Sequence, residues 1–141
     1  MGDIESDSTL DNPKFKTCNG DENAFQYFNT GEGLRYKGEK TALVSKIYNS
    51  YRPVKNSENQ SGYFRIRFMV NCNGETGRFR ILSSDFDYQD KRFDEAITKQ
   101  LLSIVKSLDG WQIMTKNEKS LDYYQYLIFK LENGRIIEIL P

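Results

Sequence analysis

Two stretches of alternating hydrophobicity flank one stripe of helical period in this chain, and that order admits few folds. Between Tyr63 and Val70, Phe64, Ile66, Phe68 and Val70 point one way, while Tyr63, Arg65, Arg67 and Met69 point the other. Asn71 to Gly77 supplies turn residues, with glycines free to take positive φ. Arg78 to Leu82 then returns with Phe79 and Ile81 on the core face and Arg78 and Arg80 outside, which predicts a hairpin. After a loop over Ser83 to Gln89, Asp90 is placed as a helix N-cap. Phe93, Ile97, Leu101, Ile104 and Leu108 recur at steps of four, four, three and four, the spacing of one apolar helix face. Gly110 stops the helix and Trp111 anchors its exit. A polar loop leads to a strand from Tyr123 to Leu131, with Leu127, Phe129 and Leu131 on one face. Asn133-Gly134 is a tight-turn signal, and Arg135 to Leu140 returns as a last strand.

The first half carries weaker signals. Residues 1–22 are polar and acidic, contain Pro13 and lack periodic apolar positions, so a loosely ordered segment is expected. Ala24 to Phe28 reads as a helical turn, and Gly31, Gly33 and Gly38 punctuate a loop. Glu39 to Tyr51 reads as a helix, since Leu43 and Ile47, and Val44 and Tyr48, recur at i, i+4. Pro53 closes it. Asn56 to Gly62 is a polar connector. A chain of 141 residues has room for one core, so residues 23–141 are expected to form a single α+β domain.

Composition removes several functions. Histidine is absent, which excludes Ser-His-Asp and Cys-His nucleophile systems, histidine bases and histidine-ligated zinc. Twenty basic residues balance twenty acidic ones, so no global field points to nucleic acid. No apolar run approaches the roughly 20 residues of a membrane span. Nine tyrosines, nine phenylalanines and one tryptophan suit a small sheet-based core. Cys18 and Cys72 each sit in a Cys-Asn-Gly turn; they form one disulfide if the protein is exported and stay reduced if it is cytosolic. Met1-Gly2-Asp3-Ile4-Glu5-Ser6 fits the loose myristoylation pattern, but is read as an added start on a mature fragment, with no signal peptide.

One cluster points to binding. Arg65, Arg67, Arg78 and Arg80 project from the outer face of the first hairpin, and Tyr124, Tyr126 and Lys130 are placed beside them. Interleaved Arg and Tyr can hold an anionic polymer, a glycan or an acidic protein surface by charge-assisted hydrogen bonds and ring stacking. The bland alternative is a solvated sheet face with arginines paired to nearby carboxylates. Asp85, Asp87, Asp90 and Asp94 fail as a calcium loop, because Asp90 and Ala96 stand where Gly and Glu are needed; they are read as helix-start acids. Trp111 is read as a core plug. No Gly-rich phosphate loop is present, and no metal or other cofactor is expected.

Tyr51-Arg52-Pro53, the strand opened by Gly62, the run Phe68-Met69-Val70-Asn71-Cys72-Asn73-Gly74-Glu75, Ser83-Ser84, Phe93-Asp94-Glu95-Ala96-Ile97 and Trp111 come in an order that resembles the C-terminal domain of TonB, over roughly residues 39–131. That resemblance implies a helix on one face of an antiparallel sheet of order 2-1-3. It also implies a place in the bacterial envelope, periplasmic or outer-membrane-associated, and with it a Cys18–Cys72 disulfide. Two departures stand out. Ile113 replaces the family's proline after the tryptophan. Asn133-Gly134 turns the chain back, so that a fourth strand is expected to cover the edge by which the family receives a receptor segment.

The expected work is therefore non-catalytic protein–protein interaction with an envelope partner, through a sheet edge or the Arg/Tyr face, by a monomer or weak dimer. The rival expectation is a ligand-binding or inhibitor domain for a glycan or anionic surface, and a third is an enzyme using carboxylates alone.

Overall fold

The computed structural model of the chain describes residues 3–25 and 35–141. The expected Gln26–Phe28 part of a helical turn, the Gly31 and Gly33 loop and Met1-Gly2 lie outside the described residues. The α+β class holds: helices α1 (Glu39–Ser50) and α2 (Glu95–Ser107) pack on a sheet built from β1 (Gly62–Val70), β2 (Thr76–Ser84), β5 (Tyr123–Glu132) and β6 (Arg135–Leu140). Between α2 and β5 lie β3 (Met114–Lys116) and β4 (Lys119–Leu121), a separate two-stranded ribbon. The sheet runs β2-β1-β5-β6, and all its pairs are antiparallel. This is the 2-1-3 order with the expected fourth edge strand.

Alternation explains the layers. Phe64, Ile66, Phe68 and Val70 of β1 and Leu127, Phe129 and Leu131 of β5 meet Ile97, Leu101, Ile104 and Val105 of α2 and Leu43 and Ile47 of α1 in one core. Trp111 closes the core as expected, edge-on to Tyr36 at 5.0 Å and to Phe68 at 5.2 Å.

Turn chemistry sets the register. In the β1–β2 turn the buried Asn71 accepts through Oδ1 from the Asn73 and Glu75 amides, at 2.9 and 3.0 Å. Asn133 and Gly134 take φ of 50° and 75°, the two left-handed positions of a type I′ turn. A bulge between Arg67 and Met69 is absorbed opposite by Arg78, whose φ is +55°. Positive φ is costly for a residue with a Cβ, so the bulge marks Arg78 as a position that other contacts hold in place.

Four expectations change. The helix N-cap is Asp94, whose side chain accepts from the Ala96 amide at 2.9 Å; Asp90 instead bridges to Ser84. The polar loop after Trp111 contains the β3–β4 ribbon, turned by Asn117 and Glu118 at φ of 53° and 65°. In place of a helical turn beginning at Ala24, a 3-10 turn occupies Asp21–Asn23, and Phe25 pairs with Tyr123. Finally, residues 3–23 are not loosely placed. They lie as a strap across the outer face of the sheet, with Ile4 buried against Met69 and Tyr124. One isolated isoleucine and scattered carboxylates leave no periodic signal, yet they match an apolar spot between arginines.

Candidate functional site

The outer face of the sheet carries every predicted binding residue, but it is divided. Arg65 lies over the Tyr126 ring and Arg67 over the Tyr124 ring, each with its guanidinium carbon 5.1 Å from the ring centroid. Register explains this: Arg67 is opposite Tyr126 and Met69 opposite Tyr124, so each arginine leans on the diagonal ring. Burial, and secondarily the charge of Arg65, pull the Arg67 pKa below its ordinary value.

Beside Arg67 the strap covers the face. Arg80 makes a two-pronged contact with Asp11, Nη1 to Oδ1 at 2.7 Å and Nη2 to Oδ2 at 2.9 Å, and its Nη2 also donates to the Glu5 carbonyl at 2.9 Å. Arg78, only 9% exposed, meets Asp21 at 2.8 Å and donates to the Ile4 carbonyl at 3.3 Å. The Tyr124 hydroxyl accepts from the Ile4 amide at 3.2 Å. The four arginines therefore do not form one open patch: Arg78 and Arg80 are spent on the strap.

The hydrogen bond from Arg80 holds the Asp11 carboxyl below its ordinary 3.8, and that from Arg78 does the same for Asp21. A depressed carboxyl stabilises the folded form above its ordinary pKa and loses that contribution as pH falls through the folded value. The strap contacts are thus expected to be complete at neutral pH and to weaken as pH drops below 3.8. Amide exchange at residues 4–11, followed from pH 6 to pH 3 with correction for intrinsic rates, checks this. Protection that stays constant would contradict it.

A disulfide between Cys18 and Cys72 pins the strap to the β1–β2 turn. Next to it Asp122, fully buried, accepts from the backbone amides of Cys18, Asn19 and Cys72 at 3.0–3.1 Å. Cys18, Cys72 and Asp122 are close enough to suggest a metal site. Their chemistry here is different, because the sulfurs are bonded to each other and the carboxylate is occupied by amides.

The other half of the face is open. Tyr63, Arg65, Leu82, Tyr88, Ile128 and Leu140 line a shallow, mainly apolar groove of about 400 Å³, with Ser83, Ser84 and Asp90 at one side. Tyr63 stacks flat on Tyr88, centroids 5.5 Å apart and planes 6° from parallel, and meets Phe86 edge-on at 5.4 Å. Burial, then hydrogen bonding to Tyr88, raises the Tyr63 pKa. Leu82 and Tyr88 remain 60% and 75% exposed. The wall is a folded loop: the Asp85 carboxylate accepts from the Asp87 and Gln89 amides at 2.9 and 3.0 Å, and the Asp85 amide donates to the Gln89 carbonyl. Backbone bonding explains Asp85, just as capping explains Asp94, and neither serves as a calcium ligand here. Sequence reading placed Tyr63 on this face but passed over Phe86, Tyr88 and Leu82. The available signal was a pair of aromatics in an otherwise polar loop.

Among the described residues no helix is long and apolar enough to cross a membrane. β6 pairs with β5 from Ile128 to Glu132, so over that stretch the β5 edge is closed.

No protein-family model, curated protein or solved structure matches the chain.

Proposed function

We propose that this is a non-catalytic protein-docking domain of the bacterial envelope, similar to the TonB C-terminal domain, and that its docking surface is the open half of the outer sheet face. One observation carries the reading. Tyr63, Phe86 and Tyr88 form a packed ring cluster beside the exposed Leu82, on a sheet face whose other half the chain itself has covered. Exposed aromatic and aliphatic groups gathered on one rigid surface are the usual anchors of a protein interface. Leu82, Ile128 and Leu140 favour an apolar protein side chain as the occupant.

The family's own mode, strand addition at the third strand of the sheet, is disfavoured because β6 occupies that edge over its paired length. The Cys18–Cys72 disulfide supports an oxidising compartment such as the periplasm. The order of the resembling motifs, Phe68–Glu75, Phe93–Ile97 and then Trp111, supports the family reading.

A glycan is the second reading. The flat Tyr88 ring, 75% exposed beside Ser83, Ser84 and Asp90, offers a stacking platform with hydrogen-bonding groups at its rim. Capture from envelope extract by the wild-type chain and by Leu82→Asp and Tyr88→Ala separates the cases. The docking reading expects one captured protein, lost at least tenfold in both variants, which corresponds to about 1.4 kcal/mol or more. Capture unchanged in both variants removes the groove as the site. Retention of a soluble polysaccharide by the wild type but not by Tyr88→Ala selects the glycan.

A further inference from the structure

We propose that residues 3–23 form a thiol-releasable cover over a second docking surface, the half-face around Arg78, Arg80, Met69 and Tyr124, and that its partner is an acidic, extended protein segment. This goes beyond the open-groove reading and uses none of the groove's residues.

The chemistry of the partner is displayed by the cover itself. Residues 3–23 carry six acids (Asp3, Glu5, Asp7, Asp11, Asp21 and Glu22) against two lysines (Lys14 and Lys16), a net of −4. That charge lies on two arginines of the sheet. Arg80 takes the Asp11 carboxylate with both terminal nitrogens, a geometry suited to a planar carboxylate. Each arginine also donates to a main-chain carbonyl, Arg78 to Ile4 and Arg80 to Glu5. Carboxylates plus backbone carbonyls describe a peptide, and neither group occurs in a nucleic acid backbone. Between the arginines one apolar side chain, Ile4, enters against Met69 and Tyr124. The strap therefore occupies the face as a ligand would, and the bulge at Arg78 holds that guanidinium where a peptide carbonyl meets it.

The cover has a release point. Cys18 is exposed and Cys72 half-buried, so Cys18 Sγ is the sulfur that an external thiolate reaches. A dithiol reductase, or a small dithiol, attacks Cys18 Sγ and Cys72 leaves as a thiolate that takes up a proton. The second thiol of the reductant then resolves the mixed disulfide, freeing Cys18 as a thiol and leaving the reductant as a disulfide. Two electrons pass to the protein. The strap is then joined to the domain through the Phe25–Tyr123 pairing and its noncovalent contacts, and a second acidic segment can compete for the arginines.

The test uses the full chain and a labelled synthetic peptide of residues 3–12, which holds Ile4, Glu5 and Asp11. Binding is measured with the disulfide intact, after reduction by a non-denaturing dithiol, and in the Cys18→Ser/Cys72→Ser variant. The proposal expects at least tenfold tighter binding in the last two, faster amide exchange at residues 4–11, and loss of the gain in Arg80→Ser. Gly77→Ala supplies an arm with the disulfide intact: a Cβ there would stand 2.2 Å from the Phe15 ring and must push the strap outward, so peptide binding should rise. Should reduction unfold the sheet, seen as exchange throughout β1 and β5, the Gly77→Ala arm decides. Equal peptide binding in the oxidised, reduced and Gly77→Ala chains overturns the proposal. Loss of groove binding in Leu82→Asp leaves these results unchanged, so the two readings fail separately.

Discussion

Replacing Asp122 by alanine is expected to lower the free energy of unfolding by about 3–5 kcal/mol, a loss seen only when a buried network is broken. Asp122 is fully buried and accepts from the amides of Cys18, Asn19 and Cys72. Those donors come from two loops 54 residues apart in sequence that are also joined by the disulfide. Alanine strands all three amides in a site closed to water, each at a cost of about 1–3 kcal/mol, discounted for relaxation. In the chain-entropy model the disulfide itself contributes about 4 kcal/mol for a loop of this length. Carboxylate and disulfide thus clamp the same junction, and their removal should be non-additive. Urea unfolding of the single variants and the combination measures this. Asp122→Asn, which keeps one acceptor oxygen, is expected to fall between the wild type and alanine. A loss below about 1 kcal/mol for alanine would mean that the amides find other partners.

Gly62→Ala is the second large effect, at about 2–4 kcal/mol. Gly62 opens β1 with φ of +143°, a region closed to residues with a Cβ. A Cβ built there would stand 2.1 Å from the Ser84 carbonyl oxygen and 2.9 Å from the Asp85 Cα. Both are backbone atoms at the end of β2, so no side chain can turn aside. The strand end must part from β2, and the 85–90 loop that walls the groove moves with it. A reduced urea midpoint, together with altered tyrosine signals from Tyr88, is the expected pair of observations. An unchanged midpoint would show that β1 and β2 are less closely joined there.

The legible parts of this fold were those written in period or in glycine. Alternation in Tyr63–Val70 and Tyr123–Leu131, the stripe from Phe93 to Leu108 and the Asn133-Gly134 turn placed the sheet, α2 and the closing strand. The β3–β4 ribbon was hidden because its turn is Asn117-Glu118, and glutamate at positive φ gives no turn signal. The helix cap moved from Asp90 to Asp94 because two aspartates compete and the loop uses Asp90 for a bridge. For the candidate site, all six Arg and Tyr residues fell on the predicted face. Its division was invisible, since it depends on contacts such as Arg80 with Asp11 and Arg78 with Asp21, 69 and 57 residues apart, taking 80 − 11 and 78 − 21. Long-range pairing of isolated charges leaves no local pattern to read.

Site-specific photo-crosslinking tests the central claim most directly. A photoreactive residue is placed at Tyr88, on the open groove, or at Ile137, exposed on the edge strand β6, and the chain is irradiated in envelope extract. Docking through the sheet face predicts one protein adduct from position 88 that Leu82→Asp abolishes, and none from position 137. An adduct from position 137 with none from position 88 would contradict the account and assign docking to the sheet edge.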